Sequence, residues 1–237
     1  MKKNSRLSIR KHVPNFITCL NLACGCVAIA FAFGSLYIAA YFIAAAAIFD
    51  FLDGMFARWL NVKSEIGKQL DSLSDIVSFG VAPAFIIGLM ILSSVKEGIE
   101  SSNFYYIYQT LPFIAVLIPI FSALRLARFN IDESQSHSFR GLPTPANGLF
   151  LASFPFLVDL FPELMNPWIL IGVIIIFSFL LVSPLRMFAL KFKNFSWKEN
   201  MLRYFFLGIS LLLLIFLQYT AVPLIIIFYI LLSIINK

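Results

Sequence analysis

Long runs without charged residues alternate with short charged segments along this chain. The charge-free runs cover residues 12–49, 76–95, 101–124, 141–158, 164–185 and 204–236. A membrane-spanning helix needs about 20 apolar residues, so each of the four middle runs fits one helix. The first run is long enough for two helices joined at Gly34-Ser35, because glycine and serine favour a turn. The last run fits two short helices separated near Gln218, or one tilted helix. The pattern predicts an all-α membrane bundle of about eight helices, with seven as the alternative.

Composition agrees with a membrane protein and excludes other classes. Of the 237 residues, 60% are hydrophobic and 13% are charged, whereas soluble domains have about 45–50% and about 25%. An ordinary soluble enzyme, a disordered chain and a secreted disulfide scaffold are therefore excluded. The cysteines at 19, 24 and 26 fit neither a disulfide framework nor a paired zinc knuckle, and we expect them to be small buried residues. We predict a basic cytoplasmic segment over residues 1–13 and one membrane-embedded catalytic domain over residues 14–237.

The basic residues indicate the orientation of the chain. With a cytoplasmic N-terminus and eight helices, all 18 basic residues except Lys96 fall on the cytoplasmic side, as the positive-inside rule predicts. The net charge of +6 is then explained by a basic face toward anionic lipid and not by a nucleic-acid partner. We expect a multi-pass protein of the cell membrane.

Four aspartates stand where charge is costly, near the ends of the second and third predicted helices. Asp50 and Asp53 are three residues apart, and Asp71 and Asp75 are four apart, so each pair shares one helical face. The hairpin at residues 61–66 allows the two helices to run antiparallel. We therefore expect the four carboxylates to face each other at one depth, where a charged group needs a functional reason.

This carboxylate cluster predicts a metal site. Four carboxylates in a cleft of low dielectric constant cannot all stay ionised without cations. Two divalent cations would neutralise them, and oxygen ligands favour Mg²⁺ or Mn²⁺ over zinc. Two such ions suit phosphate binding and in-line displacement at phosphorus. Gly54 leaves room for a ligand near the backbone, and Arg58 can meet phosphate charge. Either acidic pair alone would also fit solvated residues at the membrane interface.

The aspartates are part of a longer pattern of eight specified positions. The pattern is Asp50, two residues, Asp53-Gly54, two residues, Ala57-Arg58, eight residues, Gly67, three residues, Asp71, three residues and Asp75. It resembles the signature of the CDP-alcohol phosphatidyltransferase family at every specified position. The preceding segment at residues 14–21 is similar to the N-terminal element of that family.

The resemblance implies transfer of a phosphatidyl group from CDP-diacylglycerol to an alcohol, with release of CMP. It implies that two Mg²⁺ or Mn²⁺ ions are held by Asp50, Asp53, Asp71 and Asp75, and that Asp75 deprotonates the alcohol. The residues that it assigns to CDP-diacylglycerol are Asn15, Thr18, Gly54, Ala57, Arg58 and Ser64. It also implies a homodimer in the lipid bilayer.

Two later segments, residues 124–130 and 139–146, resemble the branch of this family whose acceptor is L-serine. Serine carries a carboxylate that an arginine can bind through two hydrogen bonds. The candidates are Arg125, Arg128 and Arg140, with Arg128 and Arg140 ahead of Arg125, although the positive-inside rule alone also accounts for them. We therefore expect a product pair of phosphatidylserine and CMP, in phospholipid biosynthesis.

Two alternatives stay open at this point. One is the same reaction with glycerol 3-phosphate or an inositol phosphate as acceptor, whose two negative charges require a denser basic pocket. The other is a non-enzymatic membrane transporter or lipid-binding protein with a cation site. Transporters often contain repeated halves, and the second half of this sequence has no second acidic motif.

Overall fold

The structure is a computed structural model that describes residues 2–62, 64–99, 109–132, 138–188 and 196–235. The helices of the first half are α1 (Lys2–Ala32), α2 (Leu36–Trp59), α3 (Glu65–Asp75) and α4 (Ala82–Ile99), with a π-helical turn at Ile76–Val81 between α3 and α4. The later helices are α5 (Leu117–Ile131), α6 (Thr144–Ala152), α7 (Phe154–Leu160), α8 (Pro167–Val182), α9 (Trp197–Leu217) and α10 (Ala221–Ile235). Short 3-10 turns occupy Leu111–Val116, Pro162–Met165 and Gln218–Thr220. The predicted all-α class is confirmed.

One short antiparallel ladder joins two loops of this helical protein. Strand β1 (Ser138–Arg140) pairs with β2 (Arg186–Phe188), with Arg140 opposite Arg186. Gly141, directly after β1, has a φ of 78°, which favours glycine. The ladder holds the segment before α6 against the segment after α8.

Five segments of the described ranges are long and apolar enough to cross a membrane: His12–Ala32, Leu36–Trp59, Glu65–Val95, Leu111–Ile131 and Asn200–Ile235. Pro167–Val182 is a shorter apolar helix, and α6 and α7 are separated only by Ser153. These helices make the chain a multi-pass membrane protein. The predicted turn at Gly34-Ser35 is confirmed, because α1 ends at Ala32 and Ser35 accepts a hydrogen bond from Ile38 N as the N-cap of α2.

The last apolar run folds back on itself near residue 218. Gln218 has a φ of 51° between α9 and α10. The ring of Phe206 on α9 stacks with Phe228 and lies 5.7 Å from the ring of Tyr229, both on α10. This pairing about residue 218 is that of an antiparallel helical hairpin, so the predicted break is confirmed.

Several helix limits and the cysteine burial differ from the predictions. The helical segment containing α3 and α4 begins at Glu65, not near residue 76, and α5 continues to Ile131 past Leu124. Charges end a run in the sequence, but a helix can continue when the charged groups face protein or a polar cavity. The N-terminal part of the run at 101–124 lies outside the described residues, and the predicted boundary after residue 13 lies within α1. The expected burial of the cysteines was wrong for Cys19 and Cys26, which are exposed on the outer face of α1.

Glycines bring α1 and α6 close to the π-helical turn that follows Asp75. A Cβ on Gly25 of α1 would lie 2.8 Å from Ser78 Cα, and one on Gly148 of α6 would lie 2.8 Å from Phe79 Cα. Real Cβ atoms do not approach other carbons so closely, so these positions require glycine for the observed packing. The tight packing holds the end of α3 and therefore the backbone of Asp75.

Candidate active site

Three of the four predicted carboxylates meet where the ends of α2 and α3 approach each other. One oxygen from each of Asp50, Asp53 and Asp71 lies within 4.8 Å of the other two. Helix α1 packs against both α2 and α3. From α1, the Thr18 hydroxyl donates a hydrogen bond of 2.6 Å to Asp53 Oδ2. Because that bond occupies one oxygen, it orients the Asp53 carboxylate toward the group of three.

Asp75 lies one helical turn beyond Asp71 and is more buried than its neighbour. Its side chain is 6% exposed, and its Oδ1 accepts a hydrogen bond from Asn21 Nδ2 at 3.3 Å. Asp75 lies four residues after Asp71 on α3, so the structure places it beside the group of three, with one oxygen held by Asn21.

These carboxylates fit a divalent cation. One oxygen from each of Asp50, Asp53 and Asp71 lies within 4.8 Å of the other two, and carboxylates this close repel unless a cation or a proton lies between them. The donors are all oxygens, which is the ligand set that hard cations prefer. Asp50, Asp53 and Asp71 would hold such an ion, and Asp75 lies close enough to contribute a further charge.

A cavity of about 250 Å³ opens beside the carboxylates. Five of the six residues predicted to bind CDP-diacylglycerol line it, namely Asn15, Thr18, Gly54, Ala57 and Ser64. Asp53 and Asp71 line the same cavity. Ser64 is also the N-cap of α3, since its hydroxyl accepts a hydrogen bond from Gly67 N at 3.1 Å. The structure therefore brings these five predicted residues together around one space that Asp53 and Asp71 also border.

Arg58 occupies a different position from the other five. Its side chain is exposed, its Nε donates a hydrogen bond of 2.9 Å to the Gly54 carbonyl, and it is not among the residues that line the cavity. The cationic side chain that lines it is Lys68, one turn before Asp71 on α3. Sequence reasoning missed Lys68, although its spacing from Asp71 places both on one helical face.

A second cavity, of about 390 Å³, contains all three candidate arginines. Arg125 and Arg128 reach it from α5, and Arg140 reaches it from β1. Asp132 also lines it, together with residues 181–184 at the end of α8. The sequence left open whether these arginines converge, and the structure shows that they do.

The three arginines differ in burial. Arg125 is 8% exposed, whereas Arg128 and Arg140 are exposed. Arg125 Nη1 donates a hydrogen bond of 3.0 Å to Thr144 Oγ1, and its guanidinium lies 5.9 Å from the centroid of the Phe129 ring. Helix α5 packs against the π-helical turn that directly follows Asp75. Arg125 is therefore carried by a helix that lies next to the end of α3.

Hydrogen bonds also join α3 to α5 between the two cavities. Lys68 Nζ donates to the Asn130 carbonyl at 2.8 Å, and Asn130 Nδ2 donates to Ser72 Oγ at 2.8 Å. These bonds hold the end of α5 beside the helix that carries Asp71 and Asp75. The two cavities consequently lie on neighbouring elements around one carboxylate cluster.

Fold and site together define a multi-pass membrane protein with a carboxylate cluster able to hold a metal ion and a cavity of about 250 Å³ beside it. The chain belongs to the CDP-alcohol phosphatidyltransferase family, whose family model matches residues 11–182. The family is generally metal-dependent, in agreement with the aspartate cluster.

Curated relatives within this family share a substantial part of the chain. A CDP-diacylglycerol–serine O-phosphatidyltransferase of Bacillus subtilis is 36% identical over 150 residues, covering 61% of this chain and 76% of the relative. An enzyme of the same name from Helicobacter pylori is 32% identical over 210 residues, covering 86% of this chain and 81% of the relative. An archaetidylserine synthase of Methanothermobacter thermautotrophicus is 34% identical over 178 residues, covering 73% and 68%.

Proposed function

We propose that this protein transfers the phosphatidyl group of CDP-diacylglycerol to the hydroxyl of L-serine and releases CMP. The observation that carries the proposal is the carboxylate cluster, bordered by the cavity of motif residues and joined through hydrogen bonds between α3 and α5 to the helix that carries two arginines of the second cavity. The names of the relatives support serine as the acceptor. The test is release of CMP by the purified protein when CDP-diacylglycerol, L-serine and Mg²⁺ or Mn²⁺ are supplied together.

The residues around the cluster have different roles in this reaction. Asp75 removes the proton from the serine hydroxyl, because its Oδ2 is the oxygen that Asn21 does not hold and a carboxylate so placed is suited to general base catalysis. The serine oxygen then forms a bond to the phosphorus that carries the diacylglycerol. The bond from that phosphorus to the CMP oxygen breaks, and CMP leaves with the electron pair. Two bound Mg²⁺ or Mn²⁺ ions would neutralise the diphosphate and the leaving oxygen.

The arginine cavity fits an anionic acceptor. Three arginines line it, and a carboxylate can accept two hydrogen bonds from one guanidinium. Serine carries such a carboxylate, and the names of the relatives favour it over the doubly charged acceptors.

Gly54 provides a test of the nucleotide cavity that does not disturb packing. A Cβ at Gly54 would have no atom within 4 Å, and alanine favours a helix over glycine by about 1 kcal/mol. We expect Gly54→Ala to fold at least as stably as the natural protein but to raise the KM for CDP-diacylglycerol about tenfold, because the methyl group enters the cavity. Thermal unfolding without substrate and initial rates of CMP release measure the two effects.

Gly172→Ala is the matched control, since Gly172 is also helical with no atom within 4 Å of a Cβ and lies outside the cavity. It should keep the normal KM. Equal KM values for Gly54→Ala and the natural protein would remove Gly54 from the donor site.

We infer that the carboxylate cluster opens to the cytoplasm of a cell membrane. The distribution of basic residues supports this orientation. Ile66, in the first turn of α3, is 74% exposed, and Glu163, in the turn before α8, is exposed and falls on the opposite side in this orientation. In a background with Cys19, Cys24 and Cys26 replaced by alanine, we expect an impermeant thiol reagent to label Glu163→Cys in intact cells. It should label Ile66→Cys only in inverted vesicles, and the reverse pattern would invert the orientation.

A further inference from the structure

Arg125 is the one buried arginine within the described part of the chain. Its Nε is buried and has no hydrogen-bond partner among the described residues. A buried guanidinium with an unpaired N–H is costly, and the cost is removed when a ligand accepts a hydrogen bond from that group. Because Arg125 also lines the 390 Å³ cavity, such a ligand has space beside it.

Thr144 holds the guanidinium in one orientation. Thr144 is fully buried and is the first residue of α6. Its hydroxyl accepts the hydrogen bond from Arg125 Nη1. In the planar guanidinium, Nε and Nη2 form the edge that faces away from Nη1. This edge presents two parallel N–H groups, which match the two oxygens of a carboxylate.

The position of this edge suits an acceptor that must also reach Asp75. Helix α5, which carries Arg125, packs against the π-helical turn that directly follows Asp75. In serine, only three bonds separate the carboxylate carbon from the hydroxyl oxygen. A serine whose carboxylate binds Arg125 can therefore present its hydroxyl toward the base, while Arg128 and Arg140 are exposed at the rim.

We propose that Arg125 is the specificity-determining residue that binds the carboxylate of the acceptor, and that Thr144 is the positioning residue that orients its guanidinium. This inference rests on the proposed function and names the residue that selects the acceptor. It reverses the order predicted from the sequence, in which Arg128 and Arg140 stood ahead of Arg125. Exposed arginines are surrounded by water and discriminate weakly, whereas a buried arginine left without its carboxylate penalises the wrong acceptor.

The experiment compares L-serine with serinol, which replaces the carboxylate by a hydroxymethyl group. We expect Arg125→Gln to lower kcat/KM for serine about 10²-fold, mainly through KM, and to change kcat/KM for serinol little. A hydrogen-bonded charge pair of this kind accounts for a change of that size. Arg128→Gln and Arg140→Gln should have smaller effects on the serine-to-serinol ratio.

Thr144 gives an independent test with a conservative rescue. Thr144→Val keeps the shape but removes the hydroxyl, and we expect it to lower the serine-to-serinol ratio about tenfold. Thr144→Ser should restore the ratio, which loss of packing alone would not allow. Arg186→Gln, an exposed arginine opposite Arg140 in the ladder, and Ser153→Ala, a buried hydroxyl outside the cavity, are the controls.

The outcomes separate this inference from the proposed function. If the natural protein releases no CMP with serine, the proposed function fails. If it does, and Arg125→Gln keeps the natural serine-to-serinol ratio, the assignment of Arg125 is overturned. If Arg125→Gln does not fold, equal ratios for Thr144→Val and Thr144→Ser overturn the proposal instead.

Discussion

Asp75→Asn is expected to lower turnover by about 10²–10⁴-fold, the range typical of losing a general base. Asparagine keeps the size of the side chain and still accepts the hydrogen bond from Asn21, but it has no basic oxygen for the serine proton. Asp50, Asp53 and Asp71 form their group of three without Asp75. Affinity for CDP-diacylglycerol should therefore weaken far less than turnover.

Asp53→Asn provides the contrast within the same cluster. Asp53 belongs to the group of three and is oriented by Thr18, so its replacement should weaken metal and donor binding together with turnover. Donor affinity by calorimetry and serine-dependent CMP release are measured for both variants. Asp159→Asn is the control, because Asp159 accepts a hydrogen bond from the hydroxyl of Tyr37 and does not belong to the carboxylate cluster.

Two outcomes would contradict these roles. Near-normal turnover of Asp75→Asn would exclude Asp75 as the base. Complete loss of donor binding in the same variant would make it chiefly a metal ligand.

Removal of divalent cations is expected to abolish turnover completely. Without a cation, nothing neutralises the carboxylates of Asp50, Asp53 and Asp71, whose oxygens lie within 4.8 Å of one another, and they repel the diphosphate of the donor. Excess EDTA should stop CMP release, and added Mg²⁺ or Mn²⁺ should restore it. Full turnover in excess EDTA would exclude the metal site.

Thermal unfolding measures the same site without turnover. A cation that binds only the folded protein stabilises it by about 2.7 kcal/mol at a concentration of 100 Kd, so Mg²⁺ or Mn²⁺ should raise Tm. Asp71→Asn removes one member of the group of three and should lose most of this increase. A Tm increase unchanged in Asp71→Asn would place the cation elsewhere.

The sequence alone identified the membrane class, the carboxylate motif and five residues that line the cavity beside it. Membrane helices can be recognised in the sequence because the bilayer requires long charge-free runs. The turns at residues 34–35 and 218–220 can be recognised from the polar and turn-favouring residues that interrupt those runs. The four aspartates of the motif can be recognised because a charged side chain in a membrane-spanning segment is costly and indicates a functional site. They are Asp50, Asp53, Asp71 and Asp75. Their spacings of three and four residues place the members of each pair on one face of a helix.

Helix packing alone decided the contacts of Asn21, Thr144 and Arg125. Asn21 and Asp75 are 54 residues apart in sequence, and Arg125 and Thr144 lie on different helices, so no local pattern links either pair. In the sequence Arg125 and Arg128 are equivalent cations three residues apart. Their side chains leave α5 in different directions, and only the position of α6 decides that Arg125 is buried against Thr144 while Arg128 stays exposed.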